Sequence, residues 1–142
     1  VLGVPWIGTR VPVFYPTFKS FMGDYSGEVG INYGNLSAAG ISNAHFDILT
    51  KNEYRLTKGK VSTHAGAILV YTTESNPGFV AAAVPTSGFT LAPYYGATLN
   101  VDKNFDISAD LIPIMYTTVS GGGVTATLLN LGLGTISAHY YF

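Results

Sequence analysis

The sequence predicts an all-β fold: an eight-stranded antiparallel up-and-down transmembrane β-barrel, forming a single domain over residues 1–142. Three observations carry that reading. Apolar residues recur at every second position in most segments, which is the period of a strand with two unlike faces. Charged residues make up only 11% of the chain, under half the share of an ordinary soluble domain, yet no run has the ~18 continuous apolar residues of a membrane-crossing helix. Where charges fall inside a strand, they sit opposite its apolar face.

The elements follow in order. Segment 5–15 sets Ile7, Val11, Val13 and Tyr15 against Arg10 and Pro12. Segment 26–36 sets Val29, Ile31 and Tyr33 against Glu28, Gly30 and Asn32. Segment 40–50 sets Ala44, Phe46 and Ile48 against His45 and Asp47, and segment 60–72 sets Val61, Ala65, Ala67, Leu69 and Tyr71 against Ser62, His64 and Gly66. A fifth strand is expected over 79–85, where "FVAAAV" is apolar on both faces. Segment 88–101 sets Phe89, Leu91, Pro93 and Tyr95 against Thr90, Tyr94, Gly96 and Thr98. Segment 104–117 is the clearest: Phe105, Ile107, Ala109, Leu111, Pro113 and Met115 oppose Asp106, Ser108 and Asp110. Segment 129–142 ends "GTISAHYYF", with Ile136, Ala138, Tyr140 and Phe142 on one face and Ser137 and His139 on the other.

The connections alternate in length, with 86–87 the one exception. Those at 16–25, 51–59 and 118–128 are long; those at 37–39, 73–78 and 102–103 are short. Long loops at one rim and short turns at the other predict an outer-membrane barrel whose termini share the periplasmic side. On this assignment Lys19, Asp24, Lys51, Glu53, Arg55, Lys58 and Lys60 belong to the long loops or their edges, and Glu74, Asp102 and Lys103 to the short turns. The remaining charges lie within strands, opposite the apolar face. An outward Lys or Arg at mid-bilayer would cost about 2–4 kcal/mol.

A net charge of -1 provides no basic face for nucleic acid. The absence of Cys removes disulfides and thiolate metal sites. The opening "VLGVPWIGTR" reads as a mature product whose leader has been removed.

The last strand resembles the recognition signal of bacterial outer-membrane barrels: Phe142 at the end, Tyr140 two residues earlier, and Ser137 where that family usually has Gly. The resemblance covers this strand alone, and it implies insertion by the barrel assembly machinery. With the other segments, the chain looks like the small eight-stranded class that includes OmpX-type and OmpA-type barrels. A weaker resemblance is to the lipid A palmitoyltransferase family, PagP.

Arg10, Glu28, His45, Asp47, His64, Asp106, Asp110 and His139 form the expected polar network of the lumen. Eight strands leave an interior just wide enough for side chains to fill, so a salt-bridged plug is the favoured reading over a proton relay or catalytic centre. His45 and Asp47 alone do not make a metal site, and no cofactor is expected. "SGGGV" (120–124) reads as a flexible exposed loop, not a phosphate loop, and "GLG" (132–134) as a place of strand curvature.

In the last two strands, Ile112, Ile114, Leu131 and Leu133 share the inward face near the outer rim, a candidate apolar pocket for an acyl chain. Pro93 and Pro113 lie within neighbouring strands, and proline removes a ladder hydrogen bond. In the PagP family, prolines flank lateral gaps through which lipid enters, so the resemblance implies such a gap here. That family's catalytic pattern, a His on the first outer loop and an Asp-Ser pair on a later one, is missing. No catalytic residues are therefore assigned.

The expected role is thus structural or binding, as a monomer in the bacterial outer membrane in contact with membrane lipid. The rivals are a PagP-like lipid-modifying acyltransferase, a small channel, and a soluble β-barrel or jelly-roll subunit of a capsid or filament.

Overall fold

A computed structural model describes residues 2–3, 15–38, 40–75 and 84–140. It is all-β, with no helix among the described residues. The strands are β1 (Leu2–Gly3), β2 (Tyr15–Met22), β3 (Tyr25–Ala38), β4 (Ile41–Arg55), β5 (Val61–Glu74), β6 (Thr86–Asp102), β7 (Phe105–Gly121) and β8 (Val124–Tyr140). They form one sheet in sequence order, and each pairs antiparallel with the next. At the seam, β1 comes within 8 Å of β8, with no ladder joining them among the described residues.

The alternation becomes two faces. On β7, Asp106, Ser108 and Asp110 are buried while Ile107 (39% exposed) and Leu111 (41%) are on the open side. The other strands repeat this, with Val29, Ile31, Tyr71, Leu91 and Leu99 exposed and Glu28, Asp47, His64 and Thr98 buried. Buried charged residues face the concave interior together with a belt of apolar ones, and the outside is predominantly apolar. Among the described residues, every Asp, Glu, Lys and Arg lies either on the inward face or at a hairpin end.

Several expected boundaries are corrected. Eight strands are present among the described residues, but they are not the eight expected. Segment 16–25, expected to be an outer loop, is β2 with its turn. Residues 51–55, assigned to another loop, complete β4, and most of 118–128 forms the paired ends of β7 and β8. The cause is the same at the first two sites: the local sequence presents Lys19, Lys51, Glu53 and Arg55 as loop charges, whereas they alternate with outward Phe18, Ser20, Asn52 and Tyr54. The expected strand at 79–85 falls on residues outside the described set except for 84–85, which are not in a strand. Most of 5–15, Arg10 included, also lies outside it.

The rims change accordingly. The connections 23–24, 56–60 and 103–104 lie at the rim where β8 ends. The facing ends of β3 and β4, of β5 and β6, and of β7 and β8 lie at the opposite rim. The proposed sets of short and long connections do not each occupy one rim.

"SGGGV" is also corrected. Gly121 pairs with Val124, leaving Gly122 and Gly123 as a two-residue loop with φ of 59° and 80°. Two consecutive positive φ values define the type I′ hairpin turn, which matches strand twist and which glycine adopts without steric cost.

Between β6 and β7 the register slips once in mid-strand. Leu91 pairs with Tyr116 and Tyr95 with Leu111, so three residues of β6 face four of β7. This is a β-bulge, and both prolines sit in it. Pro93 and Pro113 are exposed, so both rings lie on the outer face. Across β7, Gly132 lies between the partners of Ile112 and Ile114 and takes φ 71°.

The bulge reverses the phase of β7. Ile112 is 1% exposed, Ile114 is 38% exposed, and Met115 is 5% exposed. The expected apolar pocket is therefore not assembled as proposed: Ile114 faces outward, and Leu131 is 70% exposed. Met115, expected on the outer face, is inside.

Candidate functional site

The interior is layered along the axis. The half nearer the end of β8 is polar. A middle belt is apolar, comprising Leu49, Ile68, Val70, Ala92, Tyr94, Ile112 and Met115, all buried. Beyond it, towards the rim where β8 begins, lies a second polar group.

The first polar layer centres on Asp110. Its Oδ1 accepts from His64 Nε2 at 2.6 Å, and its Oδ2 accepts from Lys51 Nζ at 2.7 Å. Thr135 adds a hydroxyl donor to Oδ2 at 3.5 Å. The other ring nitrogen of His64 is 3.2 Å from Thr98 Oγ1, which is 2.8 Å from Ser108 Oγ. Register explains the row: His64 on β5 pairs with Gly96 on β6, and Gly96 pairs with Asp110 on β7. A Cβ at Gly96 would collide with the Asp110 carboxylate and the His64 ring, so glycine is what lets the two side chains meet across β6.

Glu53 is the second acid of this layer. Lys19 Nζ is 3.6 Å away, His64 Nε2 3.9 Å and Lys51 Nζ 4.0 Å. Tyr94 donates its hydroxyl to Glu53 Oε2 at 3.3 Å, and Ser26 donates to Oε1 at 3.4 Å. The Tyr94 ring lies edge-on to His64 and beneath the Lys51 ammonium, 4.5 Å from ring centre to nitrogen. Gly66 leaves the room that ring occupies: a Cβ there would lie 2.8 Å from Tyr94 Oη. Closer to the rim, His139 Nδ1 and Asp106 Oδ1 are 2.7 Å apart in a separate buried pair.

The polar group at the other rim is smaller. Asn32 Nδ2 donates to Asp47 Oδ2 at 3.2 Å and lies 3.0 Å from His45 Nε2. Gly34 leaves space for the His45 ring, and His45 pairs in register with Glu74.

The expected network residues thus divide. His64 and Asp110 share one cluster; Asp106 and His139 form a second; His45 and Asp47 are joined through Asn32 in a third. Glu28 is buried and faces inward. Lys19, Lys51, Glu53 and Tyr94 belong to the central cluster and were missed. The signal for Lys51 and Glu53 was their inward phase two and four residues beyond Leu49, on the strand that Asp47 already sets. Among the described residues, no three His, Cys, Asp or Glu side chains are grouped to hold a metal.

Chemically, this arrangement fills and cross-links the interior. Each buried carboxylate of the central cluster meets at least one cation and further donors, the condition under which buried charge is tolerated. The apolar belt separates the two polar layers. Comparison with protein families, with curated proteins and with solved structures finds no match for the chain.

Proposed function

We propose that the chain is an integral β-barrel of the bacterial outer membrane, closed to solutes, with a structural or binding role. The observation that carries the reading is the outward surface of β2 to β8, which is predominantly apolar and, away from the hairpin ends, free of Asp, Glu, Lys and Arg among the described residues. A water-facing surface of that extent would normally carry charge. Among the described residues no helix is long and apolar enough to cross a membrane, so the strands would do so.

Aromatic residues support the same conclusion. Cross-strand pairs Tyr25–Tyr54 and Phe105–Tyr140 mark one height, and Tyr33–Phe46 and Tyr71–Phe89 mark another. Tyr25 and Tyr33 are eight residues apart on β3, which is about 27 Å along a strand. At a tilt of ~40° that becomes roughly 21 Å along the barrel axis, close to the ~25 Å apolar band flanked by aromatic girdles in outer-membrane barrels. Pairing of β1 with β8 would close the sheet and remove both edges.

The buried belt of Leu49, Ile68, Val70, Ile112 and Met115 favours a closed lumen over a channel. On this reading β8 ends at the periplasmic rim and serves the barrel assembly machinery as the insertion signal. The surrounding partner is membrane lipid.

The test is electrophoretic mobility of detergent-extracted chain with and without boiling. A folded barrel migrates differently before and after heating. A purified chain that stays folded and dispersed without detergent would overturn the membrane assignment. Discrete conductance steps in a planar bilayer would overturn the closed lumen.

A further inference from the structure

At the rim where β8 ends, a cavity of about 310 Å³ opens among Lys19, Arg55, Ser62, His64, Lys103 and Asp106, with Glu53 and Thr98 in its wall. Its charges are unequally satisfied. Glu53 is engaged by Lys19 and by the Tyr94 and Ser26 hydroxyls, and Asp106 by His139. Arg55 and Lys103 have no carboxylate within ion-pair distance among the described residues. The three cations against two acids leave the wall net positive.

Arg55 is held in place without its guanidinium being used. Its backbone N–H donates to Asp24 O at 2.8 Å, and it pairs in register with His64, which turns the side chain to the inward face. Arg55 is half-buried as a residue and lines the cavity, which places its guanidinium to meet an anion there. A second observation is independent of charge. Ser62 is 6% exposed and lines the same cavity, yet its hydroxyl has no hydrogen-bond partner among the described residues. That hydroxyl is free to donate to an oxygen of a ligand in the cavity.

We propose that this cavity binds a phosphate group. The guanidinium fork presents parallel donors to two phosphate oxygens, Lys103 supplies a point charge from the β6–β7 turn, and Ser62 donates to a third oxygen. The phosphate is either free inorganic phosphate or the headgroup of a phospholipid at this rim. The proposal stands on the cavity and does not require the membrane reading.

The experiment uses the full chain folded in a nonionic, phosphate-free detergent. Sodium phosphate is titrated at constant ionic strength, and binding is read from the Arg55 side-chain and Ser62 amide resonances. The expected result is a saturable response, weakened roughly tenfold or more by Arg55→Gln and less by Ser62→Ala, in line with loss of a charged and a neutral hydrogen bond. Lys58→Gln is the control, because Lys58 pairs with Asp24 at 2.6 Å and is not part of the cavity wall; it leaves the response unchanged. In a second arm, micelles doped with phosphatidylglycerol replace inorganic phosphate. A response to the doped micelles at lower phosphate concentration assigns the site to headgroups; a response to inorganic phosphate alone assigns it to the free ion. Heat-modifiable mobility checks that each variant folds, and Ser62→Ala carries the test should Arg55→Gln not fold. Absence of a saturable response in both arms, or equal weakening by Lys58→Gln, overturns the proposal.

Discussion

Lys51 Nζ on β4 lies 2.7 Å from Asp110 Oδ2 on β7. Three strand spacings separate those elements, which in a flat sheet is roughly 14 Å of backbone. A lysine side chain cannot span that while lying along the sheet. The ion pair therefore crosses the concave interior as a chord, and it fixes both the curl of the sheet and the inward side of β4 and β7. Lys19 on β2 reaching Glu53 on β4 is a shorter chord of the same kind.

Breaking that chord leaves a charge with reduced compensation in a buried site. Lys51→Met and Asp110→Asn are each expected to destabilise the fold by about 3–5 kcal/mol, while the double variant recovers part of the loss. Urea unfolding in lipid vesicles, followed by gel mobility, measures all three. Equal losses in the single and double variants would show that the pair is not coupled.

How much of this was legible in the sequence depends on the neighbours of each residue. Asp106 and Asp110 could be placed because Phe105, Ile107, Ala109 and Leu111 mark the opposite face without interruption. Lys51 and Glu53 could not, because their outward neighbours are Thr50, Asn52 and Tyr54, and a stretch reading "TKNEYR" has almost no apolar period. Lys19 suffered likewise beside Ser20. Met115 was lost for another reason: the bulge adds one residue, and a period-2 reading inverts after it. Tertiary pairing, which brings Lys51 to Asp110 across 59 residues, leaves no local trace at all.

Glycine at position 96 is the second test of the interior. A Cβ there would meet Ala109 O, the Asp110 carboxylate and His64 Nε2. Gly96→Ala is expected to cost about 1–3 kcal/mol by overpacking. Gly27→Ala is its control, since the nearest atom to a Cβ there is Asn52 Oδ1 at 4.0 Å; the change is expected to be small. A Gly96→Ala chain as stable as Gly27→Ala would mean that the row His64–Gly96–Asp110 is looser than its geometry.

The outward face provides a test of the membrane reading, because depth matters in a bilayer and not in water. Leu111 is exposed at mid-strand. In a bilayer, Leu111→Arg is expected to lower folded stability by about 2–4 kcal/mol, and the same change near the rim, at Val101→Arg, by about 0–1 kcal/mol. Refolding yield into phosphatidylcholine vesicles over a urea series reads both. For a water-facing sheet neither substitution would depend on depth, so equal yields for the two variants would count against lipid around the sheet.

The bulge at Pro93 and Pro113 makes opposite predictions for two adjacent residues. Met115 is buried against Ala92 and Ile112 in the apolar belt, whereas Ile114 is on the outer face. Met115→Ala removes a side chain from a packed interior and is expected to cost about 2–5 kcal/mol. Ile114→Glu would be ruinous if Ile114 lined that belt, and Met115→Glu harmless if Met115 lay outside at a wetted position; the bulge reverses both expectations. In detergent micelles, where the outer face meets a mobile apolar phase near water, Ile114→Glu is expected to retain heat-modifiable mobility and Met115→Glu to lose it, because a carboxylate there would be buried among apolar side chains. Retention of the folded band by Met115→Glu alone would restore the uninterrupted period of β7 and remove the bulge.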